Sequence, residues 1–149
     1  MNTLISNKKI YALVICYNAA PVLAETYKRI DKSLFDKIYL FEDASTDNSA
    51  EIAKQFDWII VQNEKNLGHG GNLKKGLKMM FEDGADYAVE IHADGQYSPN
   101  EVVKAKDKIN DGYDLIIGSR FQKKNPFLKD GMPFLRYITN KFTSLVTNY

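Results

Sequence analysis

A single cysteine, Cys16, leaves this chain without an internal disulfide, so no disulfide framework holds it together. Its place in the apolar run ALVICYN reads as a small core residue in a reducing compartment. Charge of one sign is not in excess: the formal net charge is +1 at pH 7, which argues against a general nucleic-acid binder. Long hydrophobic runs are missing, and no stretch reaches the ~20 apolar residues that a membrane-spanning helix needs. The opening residues, MNTLISNKKIYALVICYN, carry their lysines in the middle and not ahead of an apolar stretch, so they do not read as a secretory leader. Repeats, low-complexity tracts and linkers are missing as well. The expectation is a soluble, cytoplasmic protein.

What is present suits one domain with a real core: 149 residues, 44% hydrophobic and 26% charged. Short runs rich in Val, Ile and Tyr alternate with amphipathic stretches. KIYALVICYN, KIYLFED, DWIIVQN, DYAVEIH and YDLIIGS read as five strands. Between them, APVLAETYKRIDKSL reads as a helix with Pro21 in its first turn. STDNSAEIAKQF reads as a turn and short helix, with Asp47 or Ser49 as N-cap. GGNLKKGLKMMFEDG reads as a helix burying Leu73, Leu77 and Met80 or Phe81 and stopped by Gly84. SPNEVVKAKDKINDG offers a capping box, with Ser98 as cap, Pro99 at the first helical position, Glu101 at the third and Gly112 as terminator. This alternation predicts an α/β fold, a mostly parallel sheet with helices on both faces. In such sheets ligands bind beyond the carboxyl ends of the strands.

Those ends carry Tyr17-Asn18, Glu42-Asp43, Asn63, His92-Ala93-Asp94 and Gly118-Ser119-Arg120. Five polar strand ends on one edge have the character of a site. Asp43 offers acceptors to a base or ribose, whereas Asp47 and Asn48 read as turn formers. Gly68, Gly70 and Gly71 precede a helix whose free N–H groups suit an anion; His69 among them reads as a turn or surface residue. Arg120 is a fixed cation suited to bidentate phosphate contact. His92, Asp94 and Gln96 fall on alternate positions and converge on one ligand if the backbone stays extended. A polar turn after a strand explains the same three residues equally well.

In order along the chain, VICYNAAP, FEDASTDNS, NLGHGGNLKKGL, HADGQYSP and DLIIGSRF resemble the motifs of the family-2 glycosyltransferases of the GT-A fold. The D-G-Q-x-x-P and G-S-R forms lean toward the dolichyl- and polyprenyl-phosphate sugar synthases. The resemblance implies a Rossmann-like sheet that holds a nucleoside diphosphate sugar, with a divalent cation bridging the diphosphate. It places Tyr17, Asn18 and Asp43 on the base and ribose side, and Asn66, Gly68, Gly70, Gly71 and Ala93 along the nucleotide. It gives the metal to Asp94, with His92 and Gln96, and a phosphate to Arg120. His92 and Glu42 stand where the family pattern has the first aspartates of D-A-D and D-D-G-S, and an imidazole suits Mn²⁺ better than Mg²⁺.

The resemblance also implies transfer, with inversion, to a lipid phosphate or glycan, in the making of cell-envelope polysaccharide or glycolipid. Family members continue past this point, so residues 1–149 read as one donor-binding domain cut short on its acceptor side, with the general base beyond Tyr149. A non-catalytic nucleotide-sugar-binding or assembly module is the alternative. Between Arg120 and Tyr149 the bases Arg120, Lys123, Lys124, Lys129, Arg136 and Lys141 meet one acid, Asp130. That segment, with its apolar helix pattern from Phe134 to Val146, is a candidate for contact with the missing half or with the inner membrane face.

Overall fold

The computed structural model describes residues 8–94 and 99–118. Four of the expected strands form: β1 (Ile10–Cys16), β2 (Lys37–Glu42), β3 (Ile59–Gln62) and β4 (Tyr87–His92). All pair in parallel, in the order β3-β2-β1-β4. The chain builds outward from β1 through β2 to β3, then crosses back to lay β4 on the other side of β1. That reversal opens a crevice between the carboxyl ends of β1 and β4, where open α/β sheets bind their ligands.

Burial on both faces explains why the central strands β1 and β2 read as continuous apolar runs. Every residue of β1 is buried. Ile10, Ala12, Val14 and Cys16 point to one face, where Leu23 of α1 (Ala20–Arg29) and Ala53 of α2 (Ser49–Ala53) pack. Tyr11, Leu13 and Ile15 point to the other, toward Met80 of α3 (Gly68–Glu82). Cys16 is a core residue as expected, and burial, followed by the nearby Glu42 charge, pushes its thiol up to about 12.

Helix α3 lies against the sheet on a spine spaced four residues apart, Asn72, Gly76 and Met80. Gly76 is required by proximity: a Cβ there would stand 2.5 Å from Leu13 Cδ1 and 3.2 Å from Phe41 Cε2. Met80 is fully buried while Phe81 is 49% exposed, which decides between the two expected core positions. Gly84 and Gly112 take positive φ, 91° and 84°, and end their helices as expected.

Several expectations fail. The helix read to Leu34 ends at Arg29, before a separate 3₁₀ turn at Lys32–Leu34. Residues 113–118 form no strand, and Leu115 and Ile117 are exposed. An apolar run becomes a strand only with a ladder partner, and these residues make no ladder. The stretch after Pro99 is also not one α-helix: Pro99–Ala105 winds as a 3₁₀ helix before α4 (Lys106–Asn110). The tighter winding turns Val102 into the core while Asn100 Oδ1 accepts from Asp31 N at 3.1 Å. The chain divides into two compact units, Met1–Tyr113 and Asp114–Tyr149, and every described helix and strand belongs to the first.

Candidate functional site

The loops after β1 and β2 are tied together by hydrogen bonds that the small polar residues of STDNS supply. Asn18 takes φ 48°; its N–H donates to Ser45 Oγ at 2.9 Å and its Oδ1 accepts from Thr46 N at 2.9 Å. Ser49 Oγ accepts from Ala19 N at 2.8 Å. Asp47 receives Ala20 N at 3.1 Å and Ser49 N at 2.9 Å, so it joins the starts of α1 and α2. Burial alone would raise the Asp47 carboxyl, but these N–H donors, with the Ser49 hydroxyl, carry it below its ordinary value. The N-cap of α2 is Asn48, not Asp47 or Ser49; Asp47 forms the turn leading into it.

Beneath this pair of loops lies a buried polar chain. Asp43, 2% exposed, accepts on Oδ1 from Asn63 Nδ2 at 2.7 Å and from Leu67 N at 2.9 Å. Asn63 Nδ2 also donates to Asn72 Oδ1 at 3.0 Å, and Asn72 Nδ2 donates to Phe41 O at 3.0 Å. Lys75 Nζ closes the chain on Asn63 Oδ1 at 2.6 Å. Asp43 thus fixes the glycine turn that begins α3. Asn66 Oδ1 accepts from Gly68 N at 2.8 Å, and Gly68 takes φ 71°, a conformation that favours glycine. Glu42, fully buried, does not face the crevice; its Oε1 accepts from Ser45 N at 2.7 Å. Ala44 follows with φ 55°, an uncommon conformation of the kind that collects at functional sites.

The crevice is a cleft of about 370 Å³ lined by Ile15, Tyr17, Asn18, Ala19, Val22, Asp43, Asn66, Gly68, His69, His92, Ala93 and Asp94. It brings together Tyr17, Asn18, Asp43, Asn66, Gly68, His92, Ala93 and Asp94 from the expected set. Gly70 and Gly71 fall within α3 and do not line it. Gln96 and Arg120 lie outside the described residues. Extension past β4, which would have aligned His92, Asp94 and Gln96, does not occur: the strand ends at His92, and Ala93 and Asp94 enter a turn. Ala93 N donates to Ile15 O at 3.1 Å and its carbonyl accepts from Thr26 Oγ1 at 2.9 Å, which anchors that turn over β1 and α1.

His69, read from the sequence as a turn or surface residue, is exposed as that reading has it, but it also lies in α3 and lines the cleft. Its Nε2 lies 3.4 Å from Glu90 Oε1, and His92 Nε2 lies 3.3 Å from the same oxygen. The three side chains are grouped closely enough to hold a metal ion, with their ligand atoms within 4.8 Å of one another. Glu90 and His92 carried a signal in their two-residue spacing on one strand; His69 carried none within its own element.

A family model for glycosyl transferase family 2 matches residues 11–147. A UDP-N-acetylglucosamine–dolichyl-phosphate N-acetylglucosaminyltransferase of Methanococcus voltae is 30% identical, over 95% of this chain and 63% of its own length. A dolichol-phosphate mannosyltransferase of Pyrococcus furiosus is 27% identical, over 93% of this chain and 40% of its own. This chain therefore spans from under half to somewhat under two thirds of the relatives it matches. Among solved structures, S. aureus TarS 1–349 in complex with UDP-GlcNAc superposes with a TM-score of 0.56 at 18% identity, covering 79% of this chain and 39% of that one. That likeness shows a shared GT-A fold.

Proposed function

The chain belongs to glycosyl transferase family 2, and from that premise we propose that it is the donor-binding part of a glycosyltransferase acting on a nucleoside diphosphate sugar. The observation that carries the reading is the cleft at the β1/β4 crevice, where residues from four separate motifs meet. Tyr17 and Asp43 take the base and ribose side, and the Asn66–Gly68 turn walls the nucleotide. Asp94, a hard carboxylate on the cleft wall, fits a divalent cation such as Mn²⁺ or Mg²⁺ that is otherwise held by substrate phosphates. Such a cation offsets the charge that builds on the departing diphosphate.

Arg120 is assigned a phosphate by its place in G-S-R. The acceptor is a lipid phosphate or glycan, a lipid phosphate being favoured by the names of the M. voltae and P. furiosus relatives. Transfer proceeds with inversion, by a base that lies past Tyr149, at the inner membrane face. No described helix is long and apolar enough to cross a membrane. A second reading, a donor-binding module without turnover, is favoured by the imidazole at position 92, which lies 3.3 Å from Glu90.

Thermal unfolding with UDP, GDP, dTDP and CDP, each with and without Mn²⁺, tests the proposal. A ligand at about 100 times its Kd adds roughly 2.7 kcal/mol, a rise of several degrees at about 2–4 °C per kcal/mol. UDP is expected to give the shift, with Mn²⁺, and Asp94→Ala to remove it. A metal-independent shift favours the module without turnover. No shift with any nucleotide overturns both readings.

A further inference from the structure

We propose that His69, Glu90 and His92 form a transition-metal site of the Zn²⁺ type, separate from the diphosphate cation assigned to Asp94. Glu90 and His92 are two residues apart on β4 and share a sheet face. It is the face that α3 covers, because His92 pairs with Ile15 and Glu90 with Leu13, whose side chains lie on that side. His69 stands in the first turn of α3, over the same strand end. Strand spacing supplies two of the groups and the helix start supplies the third.

Two of the three separations match a small ion, and the third is within 4.8 Å. Two ligand atoms each ~2.1 Å from a tetrahedral metal lie roughly 3.4 Å apart. Glu90 Oε1 stands 3.4 Å from His69 Nε2 and 3.3 Å from His92 Nε2. The imidazole centroids are 5.2 Å apart with ring planes inclined at 33°. Two imidazoles and one carboxylate favour Zn²⁺, Co²⁺ or Ni²⁺ over Mg²⁺. Three protein ligands of this kind leave a further position for water, as in metal sites that remain open. The side chains are 55%, 35% and 39% exposed for His69, Glu90 and His92, so an ion can enter from solvent.

The same spacing also describes two neutral imidazoles donating Nε2–H to one carboxylate oxygen, and metal binding separates the two. The chelator-stripped 149-residue chain is titrated with Zn²⁺ against a chromophoric chelator, with no nucleotide present. One equivalent of Zn²⁺ is expected to bind and to resist competition by excess Mg²⁺. Co²⁺ in its place is expected to show the strong visible absorption of a four-coordinate complex. His69→Gln and Glu90→Gln should each weaken Zn²⁺ binding by more than the roughly 10–100-fold that loss of an outer-shell partner costs, while Asp94→Ala keeps the equivalent. Both substituted side chains are partly exposed, and far-UV circular dichroism of the metal-free variants checks that they fold. Absence of a Zn²⁺ equivalent, or binding untouched by both His69→Gln and Glu90→Gln, overturns the site. Because nucleotide is left out, loss of this proposal and loss of the donor reading are read in different experiments.

Discussion

Asp43→Ala and Asp43→Asn, measured side by side, separate what Asp43 does for the fold from what it does for the cleft. One carboxylate oxygen accepts from Asn63 Nδ2 and from Leu67 N, and Asn63 is 5% exposed. Alanine removes the acceptor from the buried Asn63 amide and from the part-buried Leu67 N–H, and a buried donor without a partner costs about 1–3 kcal/mol. Asn63 Nδ2 keeps its second bond, to Asn72 Oδ1, which puts its share at the low end. The expected loss is about 2–5 kcal/mol, a large part of the ~5–15 kcal/mol that holds a domain together. Asparagine retains an acceptor in place of Oδ1, so two bonds to a charged group become neutral ones, at a cost of about 1–2 kcal/mol. Urea unfolding followed by far-UV circular dichroism gives both numbers. The same two proteins are then heated with UDP and Mn²⁺; the Asn variant should fold yet lose most of the nucleotide shift. An Asp43→Ala variant within about 0.5 kcal/mol of the parent would refute the claim that this chain of buried amides depends on the carboxylate.

Gly76→Ala puts a methyl 2.5 Å from Leu13 Cδ1; the overpacking cost of about 1–3 kcal/mol exceeds the ~1 kcal/mol that alanine gains in helix propensity. A net loss in urea unfolding is expected, and a stabilised variant would show that α3 can move off the sheet. Lys37, hydrogen-bonded at 2.5 Å, and then Tyr39 hold the Asp83 carboxyl below its ordinary value of 3.8. A depressed folded-state value means stability that is present above about pH 4 and lost as pH falls through the folded value. Asp83→Asn should therefore flatten the fall in Tm between about pH 5 and about pH 2, and an unchanged slope would remove Asp83 from the acid response.

The sheet was legible because its rules are local. Strands buried on both faces must be apolar throughout, which made β1 and β2 plain, and β3 and β4 followed from their β-branched and aromatic runs set between helical stretches. What was not legible depended on partners distant in sequence. LIIG has the same character as the runs that became strands, yet residues 113–118 find no ladder. The sequence carries no sign of why residue 76 is glycine: its reason, the Leu13 side chain, lies sixty-three positions earlier in the chain. The 3₁₀ winding after Pro99, with Val102 buried, is likewise a matter of packing that a capping box does not encode.

The candidate site divides along the same line. Residues at strand ends were found because a parallel sheet delivers all its carboxyl ends to one edge, so Tyr17, Asp43 and Asp94 meet in one cleft without any pairwise signal. Their finer roles follow from contacts that periodicity does not see. Asn18, read as a site residue, and Asp47, read as a turn former, both prove to tie the first loop to the second. Glu42 and Asp43 are adjacent carboxylates, but alternation along β2 sends them to opposite faces: Glu42 inward to Ser45, Asp43 toward α3 and the cleft. The same alternation decides the end of β4. Counting by two from Glu90 gives His92, and would give Asp94 only in an extended chain. The turn at Ala93 breaks the count, so Asp94 reaches the cleft from a turn and His92 from the strand end. Glu90 and His92 thus keep one sheet face as the alternation requires, and His69 joins them across a helix start.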